Sequence, residues 1–436
     1  MSFARFDEVP VDPAAGRVHE HGWQSWSPVG THPLDATTPR PETDVLHVMR
    51  FRPEAPAPAV GAQGEGLLVV DPGNGAPLRR YAVTSAAERV ASIRTRLVGD
   101  RLLVDADGPL VVDEVDGDVE TALRTFGDRF AADNALPPPR SAPTVWCSWY
   151  HYFLDVTEDD VVENLRAIEA ADLPVDVIQL DDGWASQVGD WRSLSDRFAS
   201  VPAVADRIAA AGRRPGIWVA PFTALAGSEL ARRNPSWLLE ADAGWNWDQP
   251  MRGLDLTHSG VRQYLHDVFG QLRAWGFDYF KLDFLYTGAL EAARHEDASA
   301  IAAYRSGLEL VRDAVGDAYV LGCGAPMLPS AGLVDAMRVS PDTYHPGTGT
   351  DEVQTLRSEP ATIARSWQHG RFWVNDPDCL VLRPSAPWRA HWAAVVERHG
   401  GLRGFSDRVA DLDAWGLDAV RRLLGDPPPP TPFDLH

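Results

Sequence analysis

The chain has 436 residues, 44% of them hydrophobic, enough to bury the core of one large domain and a smaller companion. Its formal net charge of -22 disfavours nucleic acid and anionic membrane surfaces, both of which call for clustered positive charge. No apolar run reaches about 18 residues, and residues 1–16 lack the basic-then-apolar order of a secretion signal, so the expected compartment is the cytoplasm. The three cysteines, Cys147, Cys323 and Cys379, are odd in number and far apart in sequence, a pattern of free thiols and not of a disulfide framework or zinc site.

Residues 1–140 read as a β-sandwich-like domain. Apolar runs at 45–49, 66–70, 93–98 and 101–104 are separated by Gly, Pro and Asp, as antiparallel strands are. The stretch 54–61 reads as a loop and Leu136-Pro137-Pro138-Pro139-Arg140 as a stiff linker. His21-Gly22-Trp23-Gln24-Ser25-Trp26-Ser27-Pro28 sets two tryptophans on a small polar segment; by composition it fits a packed turn as well as a binding element.

Residues 141–425 change to a regular alternation. Eight apolar runs, at 145–150, 175–182, 216–222, 279–284, 319–324, 336–342, 372–378 and 402–407, each end in polar or charged residues. Helical periodicity fills the spaces between them, as at 157–171, where Thr157 caps and Asp160 stands three residues on, and at 259–275, 299–315, 358–368, 388–398 and 412–424. Eight β/α units over this length predict an α/β fold, a closed (β/α)8 TIM barrel of about 250 residues. An open doubly wound sheet usually brings a glycine-rich phosphate loop, and neither GxGxxG nor GxxxxGK[ST] occurs. Residues 426–436 are proline-rich and read as a disordered tail.

A barrel of this kind collects its chemistry at the C-terminal ends of its strands. Those ends carry Trp149 and Tyr150; Asp181, Asp182 and Trp184; Trp218; Lys281 and Asp283; Cys323; Arg338 and Asp342; Asn375, Asp376 and Asp378; Ser406 and Asp407. Lys281 is the single lysine among 40 basic residues. Two positions before Asp283 on one strand, it shares that residue's face, and a compact ammonium is a different tool from an arginine fork. Carboxylates, aromatic rings, one Lys and one Arg suit a neutral polyhydroxylated ligand. A phosphorylated ligand would need more cations, and no metal-ligand spacing or cofactor motif is present, so neither metal nor cofactor is expected. Glycoside hydrolysis needs two carboxyl groups flanking the scissile bond. Asp283 and Asp342 are the first choice, with Asp182 and Asp376 as competitors on strand position alone.

The motifs Trp146-Cys-Ser-Trp-Tyr-His-Tyr-Phe-Leu-Asp155, Gln179-Leu-Asp-Asp-Gly-Trp184, Pro215-Gly-Ile-Trp-Val-Ala-Pro-Phe222, Tyr279-Phe-Lys-Leu-Asp-Phe284, Leu321-Gly-Cys-Gly324, Met337-Arg-Val-Ser-Pro-Asp-Thr343 and Phe372-Trp-Val-Asn-Asp-Pro-Asp-Cys-Leu380 occur in this order. Together they resemble the glycoside hydrolase family 36 α-galactosidases of the melibiase clan, the compact bacterial type in particular. The resemblance implies a retaining exo-acting enzyme on small α-galactosides, with Asp283 as nucleophile and Asp342 as acid/base. It further implies that Asp181 and Asp182 hold the 4- and 6-hydroxyls, that Lys281 binds near the 3- and 4-positions, and that Cys323 and Arg338 border the 2-hydroxyl. Trp149, Tyr150 and Trp218 would form aromatic walls, with Trp26 lent by the N-terminal domain. Against the family pattern the N-terminal sandwich is shortened and a C-terminal β-domain is not in the sequence. An α-N-acetylgalactosaminidase, a raffinose-synthase-like galactosyl transferase and a non-catalytic sugar-binding protein are the competing readings. A small-molecule galactoside is the expected partner, and the oligomeric state is left open.

Overall fold

Leu67-Leu68-Val69-Val70 is apolar at four successive positions, and a strand alternates its faces, so this one must be covered on both sides. A computed structural model of the chain, describing residues 2–38, 44–344 and 351–433, shows what covers it. Strands β1 (Ala4–Pro10), β2 (Arg17–Glu20), β3 (Gly30–Pro33), β4 (Gln63–Glu65), β5 (Leu67–Asp71), β6 (Leu78–Ala82), β7 (Ser92–Val98), β8 (Arg101–Ala106) and β9 (Val111–Val115) form two antiparallel sheets. Their orders are β1-β8-β7-β4 and β3-β2-β5-β6-β9. Leu68 and Val70 join Val9, Ile93, Leu102 and Val104 in the core between the sheets. Leu67 and Val69 face the other way, into the main core with Phe126 and Phe130.

Two expectations for this region are corrected. Residues 45–49 are not a strand: helix α1 (Asp44–Arg50) occupies them, and His47 stacks on Phe51 one helical turn on, with ring centroids 4.9 Å apart. Helix α2 (Val119–Asp133), capped by Asp118, ends the nominally all-β segment. Its apolar face, Ala122, Leu123, Phe126 and Phe130, packs where the sandwich meets the barrel.

The barrel strands are β10 (Val145–Cys147), β11 (Val177–Leu180), β12 (Arg214–Val219), β16 (Tyr279–Leu282), β17 (Tyr319–Gly322), β18 (Ala336–Arg338), β19 (Val374–Asp376) and β20 (Gly404–Phe405). They are parallel, in the order β19-β18-β17-β16-β12-β11-β10-β20, and each overlaps one of the eight predicted runs. The ladder is broken between β19 and β20, where Leu402 N and Gly401 N donate to Asn375 O at 2.9 Å and Leu380 N donates to Gly404 O at 2.8 Å. A (β/α)8 barrel behind a β-sandwich is therefore the fold.

The helix Glu158–Ala170 starts at the expected capping box, with Thr157 and Asp160 exchanging bonds. Between β12 and β16 the chain adds a small antiparallel sheet, β13 (Thr223–Leu225), β14 (Trp245–Asn246) and β15 (Gln249–Gly253), which the sequence reading did not contain. The tail is a further correction, because its described part lies against the barrel. Phe433 stacks on His369 with centroids 3.9 Å apart, His369 Nε2 lies 3.1 Å from Pro429 O, and Gly370, with φ +73°, leaves no room for a Cβ beneath Pro432.

The sandwich is fastened to the barrel through the loop after β2. Ser25 N donates to Ala325 O (3.2 Å), Met327 N to Trp23 O (2.9 Å), and Gln24 pairs with Pro326 as an isolated bridge. Arg365, fully buried, donates to Ser25 O and Val339 O at 2.7 Å, Gln24 O at 3.0 Å and Ser27 O at 3.2 Å. Carbonyls, not a carboxylate, receive this guanidinium, and burial pulls its pKa down to about 9. Arg365→Met should orphan the carbonyls of Ser25, Ser27 and Val339, each worth about 1–3 kcal/mol if left dry, while Gln24 O keeps its bond from Ser27 N. A loss of about 3 kcal/mol or more in chemical unfolding is expected; wild-type stability would show that the loop is held by other means.

Candidate active site

Strand β16 delivers Lys281 and Asp283 to the C-terminal mouth of the barrel, both buried. The carboxylate of Asp283 accepts from the Trp218 indole N–H at 3.0 Å and from the Phe284 amide at 2.8 Å. The second bond needs the chain to turn sharply, and Phe284 does so with φ 50°, in the left-handed region that a bulky residue rarely enters. Lys281 is not the partner of Asp283 that adjacency suggested. Its ammonium donates to Asp181 Oδ2 at 3.0 Å, across to β11, which uses one of its three N–H bonds. Asp181 also accepts from Gln179 Nε2 (2.6 Å), the Cys147 thiol (3.3 Å) and the Asp182 amide (2.9 Å). Burial lowers and the Asp181 charge raises the Lys281 pKa, and the net result is well above its ordinary value.

Asp182 stands beside Asp181 and takes two donors, the Gly183 amide (2.7 Å) and the Trp247 indole N–H (2.8 Å). Burial, followed by the charges of Asp181 and Asp283, raises its pKa to about 7 even though both donors favour the carboxylate.

On the opposite side, Arg338 holds three carboxylates: Asp378 at 2.6 Å, Asp342 at 3.1 Å and Asp376 at 3.2 Å. Tyr150 O–H donates to Asp378, which also accepts from the Cys379 amide and from the Thr343 amide and hydroxyl. Asp342 belongs to this cluster yet keeps 45% of its side-chain surface exposed, so it opens onto the mouth. Its crowded setting raises its pKa to about 6: desolvation comes first, then the Asp378 charge, with Arg338 and Lys281 opposing and Asp283 adding a smaller push. Cys323, buried, senses Asp283, Arg338, Lys281 and Asp342, and burial pushes its thiol well above the ordinary range.

Aromatic rings close the remaining side. Trp247 meets Trp218 (6.3 Å, 62°) and Phe284 (4.9 Å, 49°), and Trp26 packs edge-on against Phe284 (5.1 Å) and Tyr286 (6.2 Å). Trp26 comes this close because position 324 has no side chain; a Cβ there would lie 2.8 Å from its ring. Trp149 packs edge to face on Phe153 at 5.1 Å and against the barrel-interior cluster that holds Cys147 and Leu321.

Asp181, Asp182, Trp218, Lys281, Asp283, Cys323, Arg338, Asp342, Tyr150 and Trp26 are thus brought to one place. Four other strand-end residues have structural work. Trp184 donates to Trp218 O, Asn375 to Arg365 O, Ser406 to Cys147 O, and Asp407 accepts from Leu382 N and Arg383. Trp247 and Tyr286 were missed, the first because it sits on an inserted hairpin and not on a barrel strand. Cys147 and Cys379, distant in sequence, hydrogen-bond each other beneath the site, which with burial raises the Cys379 thiol. Residues 345–350, which follow Asp342 closely, lie outside the described residues. Among the described residues no group of His, Cys, Asp and Glu has metal-binding geometry, and no helix is long and apolar enough to cross a membrane.

A (β/α)8 barrel whose mouth gathers paired carboxyls, one ammonium and indole faces has the inventory that glycoside hydrolysis calls for. The Melibiase family model matches residues 135–311. It is 29% identical over 155 residues to the bifunctional alpha-galactosidase/sucrose kinase AgaSK of Mediterraneibacter gnavus, and 31% over 108 residues to the alpha-galactosidase AgaA of Geobacillus stearothermophilus. These matches cover 32% and 23% of this chain, and only 16% and 14% of the relatives. Over nearly its whole length, 98%, the chain superposes on 90% of TtGalA, an alpha-galactosidase from Thermus thermophilus solved with p-nitrophenyl alpha-D-galactopyranoside, at a TM-score of 0.80 and 28% identity. The fold of Geobacillus AgaA also matches, at a TM-score of 0.65 and 14% identity, over 96% of this chain and 61% of that one.

A guanidinium in place of the ammonium would be planar, larger and unable to keep the 3.0 Å bond to Asp181 while donating forward. Lys281→Arg should therefore lower kcat/KM by about a hundredfold or more, with the fold intact by circular dichroism. Near-full activity would show that any cation suffices.

Proposed function

We propose that the chain is an α-galactosidase that removes terminal α-D-galactosyl residues from small galactosides with retention of configuration. The observation that carries this reading is the division of labour between Asp283 and Asp342. Each oxygen of Asp283 accepts from one N–H donor, which fixes the orientation of the carboxyl as an attacking group requires. Asp342 faces it with a pKa raised to about 6, suited to a group that gives a proton and takes it back.

In the first step the Asp283 carboxylate attacks the anomeric carbon while Asp342 protonates the departing oxygen. In the second, Asp342 removes a proton from water, which attacks the same carbon and frees Asp283. Retention asks for carboxyl groups about 5–5.5 Å apart. Asp181, Asp182 and Lys281 form a hydrogen-bonding edge suited to the 3-, 4- and 6-hydroxyls. Cys323 and Arg338 face the 2-hydroxyl, and the indole faces of Trp218 and Trp26, with Trp149 and Tyr150, lie along C–H surfaces of the ring. The unit 1–140 acts here as an accessory domain to the catalytic barrel 141–425, lending Trp26. The Thermus relative solved with an aryl α-galactoside and with stachyose supports a galactoside as substrate.

Turnover of an aryl α-galactoside should exceed that of the matching α-glucoside and α-N-acetylgalactosaminide, and NMR should show the α-anomer as first product. Asp283→Asn should lose at least about a thousandfold in kcat. An inverted product or an active Asp283→Asn protein would sink the mechanism.

The proton on Asp342 sets one limb of the pH profile. It is lost as pH rises through about 6, so kcat/KM should fall above that value, about tenfold per pH unit once well past it. Asp342→Asn, assayed with an activated aryl leaving group that needs no proton, should lack this limb. A limb that persists in that variant would assign the titration to another group.

A further inference from the structure

We propose that Trp247, at the tip of the β14–β15 hairpin, is a positioning residue that aims the Asp182 carboxylate at the sugar. The inference rests on the galactoside reading above and adds to it a residue outside the barrel strands.

The geometry is specific. The indole N–H of Trp247 donates to Asp182 Oδ2 at 2.8 Å while the Gly183 amide donates to Oδ1 at 2.7 Å, so each carboxylate oxygen is held by one donor and its plane is fixed. The ring cannot swing away, because it is packed against Trp218 and Phe284, the two residues whose N–H groups hold Asp283. One indole thus ties the sugar-binding carboxylate to the supports of the proposed nucleophile.

The backbone is strained to place it there. Trp247 and Asp248 have φ 49° and 54°, the left-handed pair of a tight hairpin turn, a place usually given to Asn-Gly. A tryptophan there is costly in conformation and persists where its surroundings dictate it. Asn246 Oδ1 accepts the Trp247 amide at 2.8 Å and steadies the turn. The hairpin itself is anchored by pairing of β13 with β15 and by Tyr286 O–H donating to Ala243 O at 2.6 Å. Gly244 packs closely on Met49 of α1 and on Met251.

The charges acting on Asp182 show why a donor is needed. Asp181 and Asp283 both face it and oppose its ionisation, and the Trp247 bond is the largest influence that works against burial. Removing the N–H while keeping an aromatic ring should leave a carboxyl that is less well aimed and harder to ionise.

Trp247→Phe is the test. For an aryl α-galactoside, KM should rise about tenfold with kcat little changed, the signature of lost ground-state and transition-state binding alike. Trp247→His, which keeps a ring N–H, should recover part of the loss. In an Asp182→Asn background the same change should have almost no effect, and an equal loss in both backgrounds would mean that the ring is only packing and would overturn the proposal. A readout without substrate separates this outcome from failure of the galactoside reading. The carboxyl infrared band assigned to Asp182 by its disappearance in Asp182→Asn should titrate about one pH unit or more higher in Trp247→Phe. An unmoved titration would overturn the proposal even in an active galactosidase, whereas a shifted one in a protein inert to galactosides would leave it standing and remove the reading it was built on.

Discussion

Six carboxyl groups, on Asp181, Asp182, Asp283, Asp342, Asp376 and Asp378, share the mouth of the barrel with two cations, Lys281 and Arg338. That imbalance is the constraint on which the rest of the site depends. Full ionisation would leave an excess of negative charge in a poorly hydrated space, and the cost is met by raising pKa values group by group. Arg338 is spent on Asp376, Asp378 and Asp342, and Lys281 on Asp181. Asp182 and Asp342 take up the remainder, with pKa values near 7 and 6, although Arg338 touches Asp342 directly. A carboxyl group poised near neutrality thus follows from an electrostatic arrangement of the whole mouth, not from a property of one residue.

The same mouth explains why a sandwich is attached to the barrel. Trp26 has no barrel strand to stand on and arrives on a loop that must be rigid to place an indole within contact of Phe284 and Tyr286. Backbone bonds from Ser25 and Trp23 to the β17 exit fix one side of that loop, and Arg365 fixes the other through three of its carbonyls. Burying a guanidinium without a carboxylate is costly. Here, among the described residues, carbonyls receive both terminal nitrogens with no carboxylate, while the Nε–H is left without a partner.

Much of this was legible in the sequence because two periodicities and one topological rule carry it. Each of the eight apolar runs overlaps a barrel strand, and the rule that barrel chemistry lies at the strand ends selects Asp181, Asp182, Lys281, Asp283, Cys323, Arg338 and Asp342. Strand order does not say which charges pair, so Lys281 was set beside Asp283 when the ammonium reaches across to Asp181. Periodicity also fails on short apolar runs: residues 45–49 suit a strand or a short helix equally, and the chain forms α1 there. The tail reads as disordered by composition, and only the stacked pair His369 and Phe433 reveals that it has a surface to lie on. Trp247 is the clearest omission, since nothing local separates a tryptophan in a hairpin turn that holds a carboxylate from one that only packs.

That omission belongs to a wider pattern. Among the described residues, positive φ outside glycine occurs at Ala135, Phe153, Asp172, Trp247, Asp248, Phe284 and Asp378. Phe284 presents its amide to Asp283, Trp247 its indole to Asp182, and Asp378 bridges Tyr150 to Arg338. Phe153 packs on Trp149 and Tyr150. Local propensity disfavours each of these conformations, so each must be imposed by the packing around it. Where propensity and observed conformation disagree, the surroundings have over-determined the residue, and here the disagreement gathers around the carboxyl groups. The strained residues outside the barrel pattern are therefore as informative about the chemistry as the motifs at its strand ends.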